Sequence, residues 1–382
     1  LGTFVGTSLG IAKNINQAFY FSNTYPINLN VKRAEKVIPI YGDFFDNLSD
    51  NLFVEMKNYL NGRNIKRNLI VPRPYQTEII DAAMRQELGK DYIPGVINIV
   101  HGKGRIVGEA ITNHPDVDLI SFTGSTAVGK RINEVAGKEL KRVSLELGGK
   151  NAQIVMADAS IDLAIEAVLW GAFGTTGQRC TATSRLILHK DIHDDFVKKL
   201  VEKASKLRLG YGNDKGVDVG PCVSESQRET VNNYVKIARD EDKATLALGG
   251  DYAKEGDLSK GWFYKPTIFT GVTPEMRIAK EEVFGPVLAV LKCDSLENAI
   301  DILNNTQYGL SSSIFTNNVN DAFTAVRDIQ AGITYINGAT IGAEAHMPFG
   351  GVKATGNGHR EGGWTVYDFY TEWKAVYIDY SG

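Results

Sequence analysis

The sequence predicts an α/β protein whose core is a parallel sheet. From about residue 68 onward, short apolar runs alternate with stretches whose apolar residues recur at helical spacing. The 39 glycines suit the tight turns that join strands to helices, and 382 residues with 43% hydrophobic content can form two or three domains. A strand–helix–strand alternation requires crossover connections, so neighbouring strands are expected to run parallel.

The predicted elements follow this alternation in chain order. The strands are residues 68–71, 96–101, 119–123, 143–147, 185–189, 286–291, 311–316 and 332–337. The helices are residues 76–87, 105–113, 125–135, 159–173, 191–207, 224–239, 296–304 and 319–329. Residues 241–285 are predicted to be rich in loops, and residues 369–380 a lone strand that needs a sheet edge on this subunit or a neighbour. Residues 1–65 lack the alternation and predict only an amphipathic helix at 43–59.

Composition excludes several classes of protein. A net charge of −3 gives no reason to expect binding to nucleic acid or to an anionic membrane, and no apolar run is long enough to span a bilayer. The three cysteines, Cys180, Cys222 and Cys293, are odd in number and far apart, which favours a reduced, cytoplasmic setting over a disulfide framework. No signal peptide opens the chain, and its first residue, Leu1, suggests a fragment or an incomplete reading of the gene.

Cys180 is the first candidate for chemistry. It ends the heptapeptide GTTGQRC at residues 174–180, a glycine-flanked turn after a long apolar helix. A cysteine in such a place is either a small core residue or a thiol nucleophile. A nucleophile would need a nearby cation, a helix start or a charged cofactor, because a free thiol with a pKa of about 8.5 is mostly protonated at pH 7.

Glu146 is the second candidate. It ends an apolar strand directly before Gly148 and Gly149, which would let a ligand approach the backbone. The carboxylate is either a solvated strand end or a general base that activates water. A thiol that attacks a carbonyl needs such a base to release the acyl group.

Two glycine-containing turns are candidate phosphate sites. Phe122-Thr123-Gly124-Ser125 joins a strand to a helix, whose free N–H groups could hold a pyrophosphate with the Ser125 hydroxyl. Gly102 and Gly104 open a second such turn, but neither turn has the G-x-G-x-x-G fingerprint, so a structural role stays open for both. The six histidines are scattered without metal-ligand spacing, and none can be paired with Cys180 to argue for a thiol hydrolase that would cleave esters without a cofactor.

Taken together, five motifs resemble the NAD(P)-dependent aldehyde dehydrogenase superfamily. In order along the chain they are FTGS at 122–125, ELGGK at 146–150, GQRC at 177–180, EVFGP at 282–286 and PFGG at 348–351. The resemblance covers the chain from about residue 68 to its end and identifies it as an N-terminally truncated or divergent member. The segment GNGHRE at 356–361 resembles a branch that includes semialdehyde dehydrogenases.

The resemblance implies a function and a role for each matched residue. An aldehyde would be oxidised to the carboxylic acid with NAD or NADP, with Cys180 as the nucleophile that forms a thiohemiacetal and then a thioester. The backbone N–H of Cys180 would help to hold the oxyanion, and Glu146 would activate the water that hydrolyses the thioester. Ser125 would contact the pyrophosphate, Glu282 the nicotinamide ribose, and Phe284 would pack near the ring. The remaining implied residues are Gly104, Gly124 and Leu147 for the cofactor, and Arg179, Thr181, Asn337 and Phe349 for the aldehyde.

The resemblance also implies a domain arrangement. A Rossmann-like cofactor domain is expected at residues 66–147 and 353–368, and an α/β catalytic domain at 148–352. Residues 369–382 would be an oligomerisation strand of a homodimer or homotetramer, and residues 1–65 form an atypical N-terminal segment.

Two departures from the family pattern raise an alternative function. The Pro-Trp-Asn-Phe-Pro segment, whose Asn completes the oxyanion hole in the family, is missing, and the loss of one such donor costs about a hundred- to a thousandfold in rate. The ribose-binding Lys is also missing, since the corresponding residues 69–77 read LIVPRPYQT with only Arg73 as a partial substitute. The alternative is therefore a catalytically impaired or inactive homologue that acts as a binding or structural protein.

Overall fold

A computed structural model describes residues 17–21, 36–40, 100 and 102–378. The predicted elements at 43–59, 68–71, 76–87 and, apart from one residue, 96–101 therefore lie outside the described residues, as does the segment 69–77. The described residues fall into two compact units, one reaching Ile120 and including Arg131–Val143, the other formed by Ser121–Lys130 and the chain from Ser144 onward.

The first unit contains a parallel pair of strands, β1 (Gln17–Phe21) and β2 (Lys36–Ile40), in the region that shows no clear alternation in sequence. Helix α1 (Gly104–Thr112) buries Val107 and Thr112. The residues of the next three elements are divided between the two units: strands β3 (Leu119–Thr123) and β4 (Arg142–Glu146) form a two-stranded sheet, and the chain between them forms α2 (Thr126–Lys138).

The second unit is built on a seven-stranded sheet of order β11-β10-β5-β6-β9-β8-β7, whose neighbouring strands are parallel except for β7 and β8. Its strands are β5 (Ala152–Val155), β6 (Arg185–His189), β7 (Thr245–Leu248), β8 (Thr267–Thr270), β9 (Val287–Cys293), β10 (Ser311–Phe315) and β11 (Ile333–Ile336). Its helices are α3 (Ile161–Phe173), α4 (His193–Ala204), α5 (Glu225–Lys236), α6 (Arg277–Lys280), α7 (Leu296–Asn304), α8 (Val319–Asp328) and α9 (Val366–Tyr370).

Helices cover both faces of this sheet. Successive residues of β6 alternate, with Ile187 in one apolar cluster and Leu186 and Leu188 in the other, because side chains along a strand point to opposite faces. Helices α5, α7 and α8 contribute to the first cluster, and α3 and α4 to the second. The mixed α/β class with a parallel sheet is thereby confirmed.

Three parts of the sequence prediction differ from the structure. Strand β5 was not predicted, because its four residues include Gln153 and directly follow a glycine-rich segment. The region 241–285, expected to be loops, holds β7, β8 and α6. The predicted tail strand is wrong for this single chain, since Phe369 and Tyr370 end α9 and residues 371–378 form no strand. A strand needs a sheet edge to pair with, and residues such as Trp373 (89% exposed) instead face solvent.

Candidate functional site

Glu146 occupies the last position of β4, with its side chain buried. The residue is 3% exposed, and neither carboxylate oxygen accepts a hydrogen bond from any residue that the structure describes. The backbone of Gly350 lies against it, so that a Cβ at position 350 would be 2.7 Å from Oε1. Burial, reinforced by the negative charge of Glu361 and opposed by Arg360, raises the pKa of Glu146 to about 9. The free chain therefore holds a protonated Glu146 at neutral pH.

Cys180 follows a turn that the sequence shapes with glycine. After the buried helix α3, Thr176 and Gly177 adopt left-handed backbone angles, with φ of 58° and 63°. At position 177 a Cβ would lie 2.0 Å from the Gly285 carbonyl oxygen, so only glycine fits there. Gln178 anchors the turn, since its Nε2 donates to the Pro221 carbonyl at 3.2 Å and its Oε1 accepts from the Val223 N–H at 2.8 Å.

The thiol of Cys180 lies in an environment that disfavours its charge. Burial first, and then the carboxylates of Glu146 and Glu282, raise its pKa to about 11. The Arg179 guanidinium and the Thr181 N–H act in the opposite direction. The charges of Glu146, the other predicted catalytic residue, and of Glu282 thus both act on the thiol.

The five residues between β4 and β5 hold the surrounding groups together. The Gly149 N–H donates to Glu282 Oε1 at 3.0 Å, and a Cβ at position 148 would lie 2.2 Å from Glu282 Oε2. At position 149 a Cβ would lie 2.5 Å from the Cys180 carbonyl oxygen. Two adjacent glycines therefore let one carboxylate and the nucleophile turn approach the same stretch of backbone.

Arg185, the first residue of β6, fixes the far end of this segment. It is buried and donates to the Lys150 carbonyl at 3.0 and 2.8 Å, and to the Ile302 and Leu303 carbonyls at 3.0 and 2.8 Å. The last two carbonyls belong to the C-terminal end of α7, where the helix dipole favours a cation and no intrahelical donor remains. Burial, together with Arg185 and against Glu282 and Glu281, lowers the pKa of Lys150 to about 7.

Most of the residues predicted to bind the cofactor belong to the second unit, and one, Gly104, belongs to the first. Gly124 and Ser125 are exposed at the start of α2, where Ser125 Oγ accepts from the Val128 N–H at 3.4 Å. Leu147 is buried against α2, since a Cβ at Gly129 would lie 2.4 Å from its Cδ2.

These contacts connect α2 through Leu147 to Gly148 and hence to Glu282. Phe284, with φ of 54° and 38% exposed, follows Glu282. All of these residues belong to the second unit, whereas Gly104 opens α1 in the first unit.

The residues predicted to contact the aldehyde differ in their exposure and in their hydrogen bonds. Arg179 is exposed and Thr181 buried, both next to Cys180. Phe349 pairs with Glu361 through two backbone hydrogen bonds, directly before the glycine that touches Glu146. Asn337 has its amide engaged with the backbone of Thr316, donating at 3.1 Å and accepting at 3.1 Å. Asn337 thus ties the end of β11 to that of β10, and its role toward substrate stays a prediction.

Three residues around the site did not emerge from the sequence. Glu361, whose Oε1 accepts from the Ser121 hydroxyl at 2.6 Å, stands in sequence only as part of the segment GNGHRE, although its charge acts on Glu146. Asn151 donates to the Cys180 carbonyl, and Thr340 to the Thr181 carbonyl. Asn151 adjoins a recognised motif, which could have drawn attention to it, whereas no sequence signal marks Thr340.

Within the described part of the chain, no group of three or more potential metal ligands comes together. Over the same residues, no helix is both long enough and apolar enough to cross a membrane.

Comparison with known proteins identifies the family of the chain. A model of the aldehyde dehydrogenase family matches residues 68–376. The chain belongs to the aldehyde dehydrogenase family. This confirms the resemblance that the five motifs indicate.

Individual family members match over a large part of this chain. Aldehyde dehydrogenase 1A1 of Mesocricetus auratus is 41% identical over 317 residues, which are 82% of this chain and 62% of that protein. The alpha-ketoglutaric semialdehyde dehydrogenase of Bacillus subtilis (strain 168) is 41% identical over 284 residues, 74% of this chain and 58% of that protein. The chain thus spans about three-fifths of the length of these curated aldehyde dehydrogenases.

Solved aldehyde dehydrogenase structures share the fold. The betaine aldehyde dehydrogenase of Staphylococcus aureus in complex with NAD+ superposes with a TM-score of 0.72 at 34% identity, covering 77% of this chain and 57% of that one. A mutant of an aldehyde dehydrogenase from Bacillus cereus gives a TM-score of 0.74 at 39% identity, with coverages of 80% and 59%.

Proposed function

We propose that this chain oxidises an aldehyde to the carboxylic acid with NAD or NADP, with Cys180 as nucleophile and Glu146 as general base. The observation that carries the proposal is that Gly149, three residues after Glu146, lies against the Cys180 carbonyl and donates its N–H to Glu282, in a chain of this family. The proposal rests on the chemistry of these groups.

The thiolate of Cys180 attacks the aldehyde carbon, and the resulting oxyanion is held by the Cys180 N–H. A nicotinamide cofactor, when bound, supplies the hydride acceptor for the oxidation. Glu146 then removes a proton from the water that hydrolyses the Cys180 thioester, and the acid leaves with regeneration of the thiol. Since burial keeps Glu146 protonated in the free chain, it must lose its proton before it acts as the base.

The residues present fit a dinucleotide. The half-buried Glu282 carboxylate, held through Oε1 by the Gly149 N–H, would hold the ribose hydroxyls. The exposed start of α2, with Gly124 and Ser125, offers N–H groups and a hydroxyl to the pyrophosphate. We assign these residues with Leu147, Gly104 and Phe284 to cofactor binding. The segments 66–147 and 353–368 would form the cofactor domain, and 148–352 the catalytic domain.

An aldehyde that carries a carboxylate suits the surroundings of Cys180. Arg179 lies next to the nucleophile and is exposed, and its charge also acts on Tyr335. The Tyr335 hydroxyl is buried and has no partner among the described residues, so it is available to a ligand. The similarity to an alpha-ketoglutaric semialdehyde dehydrogenase supports the same class of substrate. We therefore propose a semialdehyde, with Thr181, Asn337 and Phe349 near its path.

The proposed enzyme is a cytoplasmic homodimer or homotetramer. Residues 369–382 would then pair with a sheet edge of a neighbouring subunit, which would cover exposed side chains such as Trp373 and Tyr377.

A catalytically impaired homologue with a binding or structural role is the second candidate. The observation in its favour is the missing oxyanion Asn and ribose-binding Lys in the sequence. Loss of the oxyanion donor alone predicts a rate about a hundred- to a thousandfold below that of a complete enzyme.

The test is reduction of NAD and NADP by the purified chain with neutral aldehydes and with semialdehydes. Turnover that Cys180→Ala abolishes, and that Cys293→Ala leaves intact, is the expected result, since Cys293 is a buried residue of β9. Binding of cofactor is followed in parallel by the fluorescence of the exposed Trp170 and Trp364. A folded chain that turns over no aldehyde would overturn the enzyme proposal in favour of the second candidate.

A further inference from the structure

Three consecutive carbonyls, beginning at the nucleophile, are each held by a buried side chain. The amide nitrogen of Asn151 donates to the Cys180 carbonyl at 2.7 Å and to the Ala182 carbonyl at 2.9 Å. Between them, the Thr340 hydroxyl donates to the Thr181 carbonyl at 2.7 Å. Turns are usually held by their own backbone, so this external support from two distant side chains is a specific feature of the nucleophile turn.

Asn151 is itself held rigidly. It is 3% exposed, and its Oδ1 accepts from the N–H of Ser311 at the start of β10, at 3.0 Å. Its backbone carbonyl accepts from the N–H groups of Ser184 and Arg185 at 3.2 and 3.0 Å. Because one side of the amide faces an N–H and the other faces two carbonyls, its orientation is determined by its partners.

The bond to the Cys180 carbonyl also sets the direction of the next N–H. In a trans peptide the carbonyl of residue 180 and the N–H of residue 181 lie in one plane and point in opposite directions. Fixing the carbonyl therefore fixes the N–H. A hydrogen bond from the Thr181 N–H lowers the pKa of the Cys180 thiol, since a donor at that position stabilises a thiolate.

We propose that Asn151 is a positioning residue for the nucleophile: by holding the Cys180 carbonyl, it keeps the Thr181 N–H directed at the Cys180 sulfur. The consequence for catalysis rests on the proposed role of Cys180, but the effect on the thiol exists without turnover. Asn151 thus supplies local stabilisation of the thiolate in a site whose burial and carboxylates oppose that charge.

Thr340 provides the matched control. Since a carbonyl can only accept, the Thr340 hydroxyl donates to Thr181, and the Thr183 hydroxyl must donate to Thr340 at 2.8 Å. Thr340→Val removes a buried donor to the same turn with almost no change of shape. It releases the 181–182 peptide, however, and leaves the 180–181 peptide bound to Asn151.

The experiment measures the rate of Cys180 alkylation by iodoacetamide against pH in the full chain, without cofactor or aldehyde. Peptide mass spectrometry separates Cys180 from Cys222 and Cys293, which are buried. Asn151→Leu removes both donors and keeps the number and branching of the side-chain heavy atoms, and Asn151→Ala removes them with room for water, so that one serves if the other does not fold. We expect either variant to raise the apparent pKa of the thiol by about one unit, which slows alkylation about tenfold at a pH below it.

Thr340→Val should move this profile by less than a third of that shift. The proposal is overturned if the Asn151 variants keep the parent profile, or if Thr340→Val shifts it equally, since general loosening of the turn would then explain the effect. Failure of the proposed oxidation would appear separately, as absent nicotinamide reduction by the parent chain while the Asn151 variants still shift the alkylation profile.

Discussion

Gly149 packs directly on the nucleophile turn, so that a Cβ at this position would lie 2.5 Å from the Cys180 carbonyl oxygen. The same Cβ would lie 2.9 Å from Asn151 Oδ1. Backbone has to move to relieve the first contact, because a carbonyl in a bonded turn cannot rotate away as a side chain can.

Gly149→Ala is therefore expected to lower the free energy of unfolding by about 1–3 kcal/mol. It should also lower kcat, because the turn that carries Cys180 is displaced. Urea unfolding and steady-state kinetics measure the two effects. Gly137→Ala is the control, since that glycine lies in α2 with nothing within 4 Å of a Cβ, and alanine should stabilise the helix by about 0.4–1 kcal/mol. Equal stability of Gly149→Ala and the parent would show that the nucleophile turn shifts at little cost in free energy.

Gly148→Ala is expected to behave differently from its neighbour. Its Cβ would meet the end of the Glu282 side chain, 2.2 Å from Oε2, and that end can rotate. Stability should change little, while the displaced carboxylate weakens cofactor binding. Loss of a hydrogen bond to a charged group, worth about 1.5–3 kcal/mol, corresponds to a rise in the KM for NAD of about ten- to a hundredfold. An unchanged KM would mean that Glu282 does not bind the ribose.

Glu146→Gln should separate stability from activity. The raised pKa of about 9 means that stability from the protonated form is full below the unfolded pKa of about 4.5 and is lost as pH rises toward 9. Glutamine is not subject to this loss. The melting temperature of Glu146→Gln relative to the parent should therefore increase between pH 5 and pH 8, while thioester hydrolysis fails. Calorimetry at the two pH values and mass spectrometry of an acylated Cys180 provide the measurements. A stability difference that is constant with pH would contradict the assigned burial.

Arg185→Met should destabilise the second unit strongly. The substitution leaves the carbonyls of Lys150, Ile302 and Leu303 without their buried donor, and each such group costs about 1–3 kcal/mol. Urea unfolding should show a loss of about 3 kcal/mol or more. Arg327→Met is the comparison, since Arg327 is exposed on α8 and pairs only with its neighbour Asp328 among the described residues. A small effect at position 185 would show that water replaces the guanidinium.

The local pattern of apolar residues was sufficient to predict many strands and helices of the second unit. Strand β6 and helix α7 have the bounds that their apolar spacing predicts, because one is a continuous buried run and the other shows a clear helical period. Strand β5, in the interior of the sheet, could not be predicted in the same way. Its register is set by pairing with β6 and β10, which are distant in sequence.

In the candidate site, too, residues marked by local sequence could be predicted, whereas contacts between distant residues could not. Cys180 and Glu146 stand beside glycines that mark close approach, and so both could be predicted from the sequence as candidate site residues. The bond from Thr340 to Thr181 joins residues 159 positions apart, and no local pattern reports such a contact. Asn337 shows the converse, since its resemblance to a family position suggested substrate contact while its amide is bonded to Thr316.

The short connection from β4 to β5 also bears on where the chain tolerates changes in length. Leu147 packs on α2, Gly148 on Glu282, Gly149 on Cys180, and the carbonyl of Lys150 binds Arg185. One inserted residue would move each of these contacts to a wrong partner, and the strands at both ends cannot absorb the shift. Insertions and deletions should therefore accumulate in surface loops such as residues 211–217, while this connection keeps a constant number of residues among active relatives.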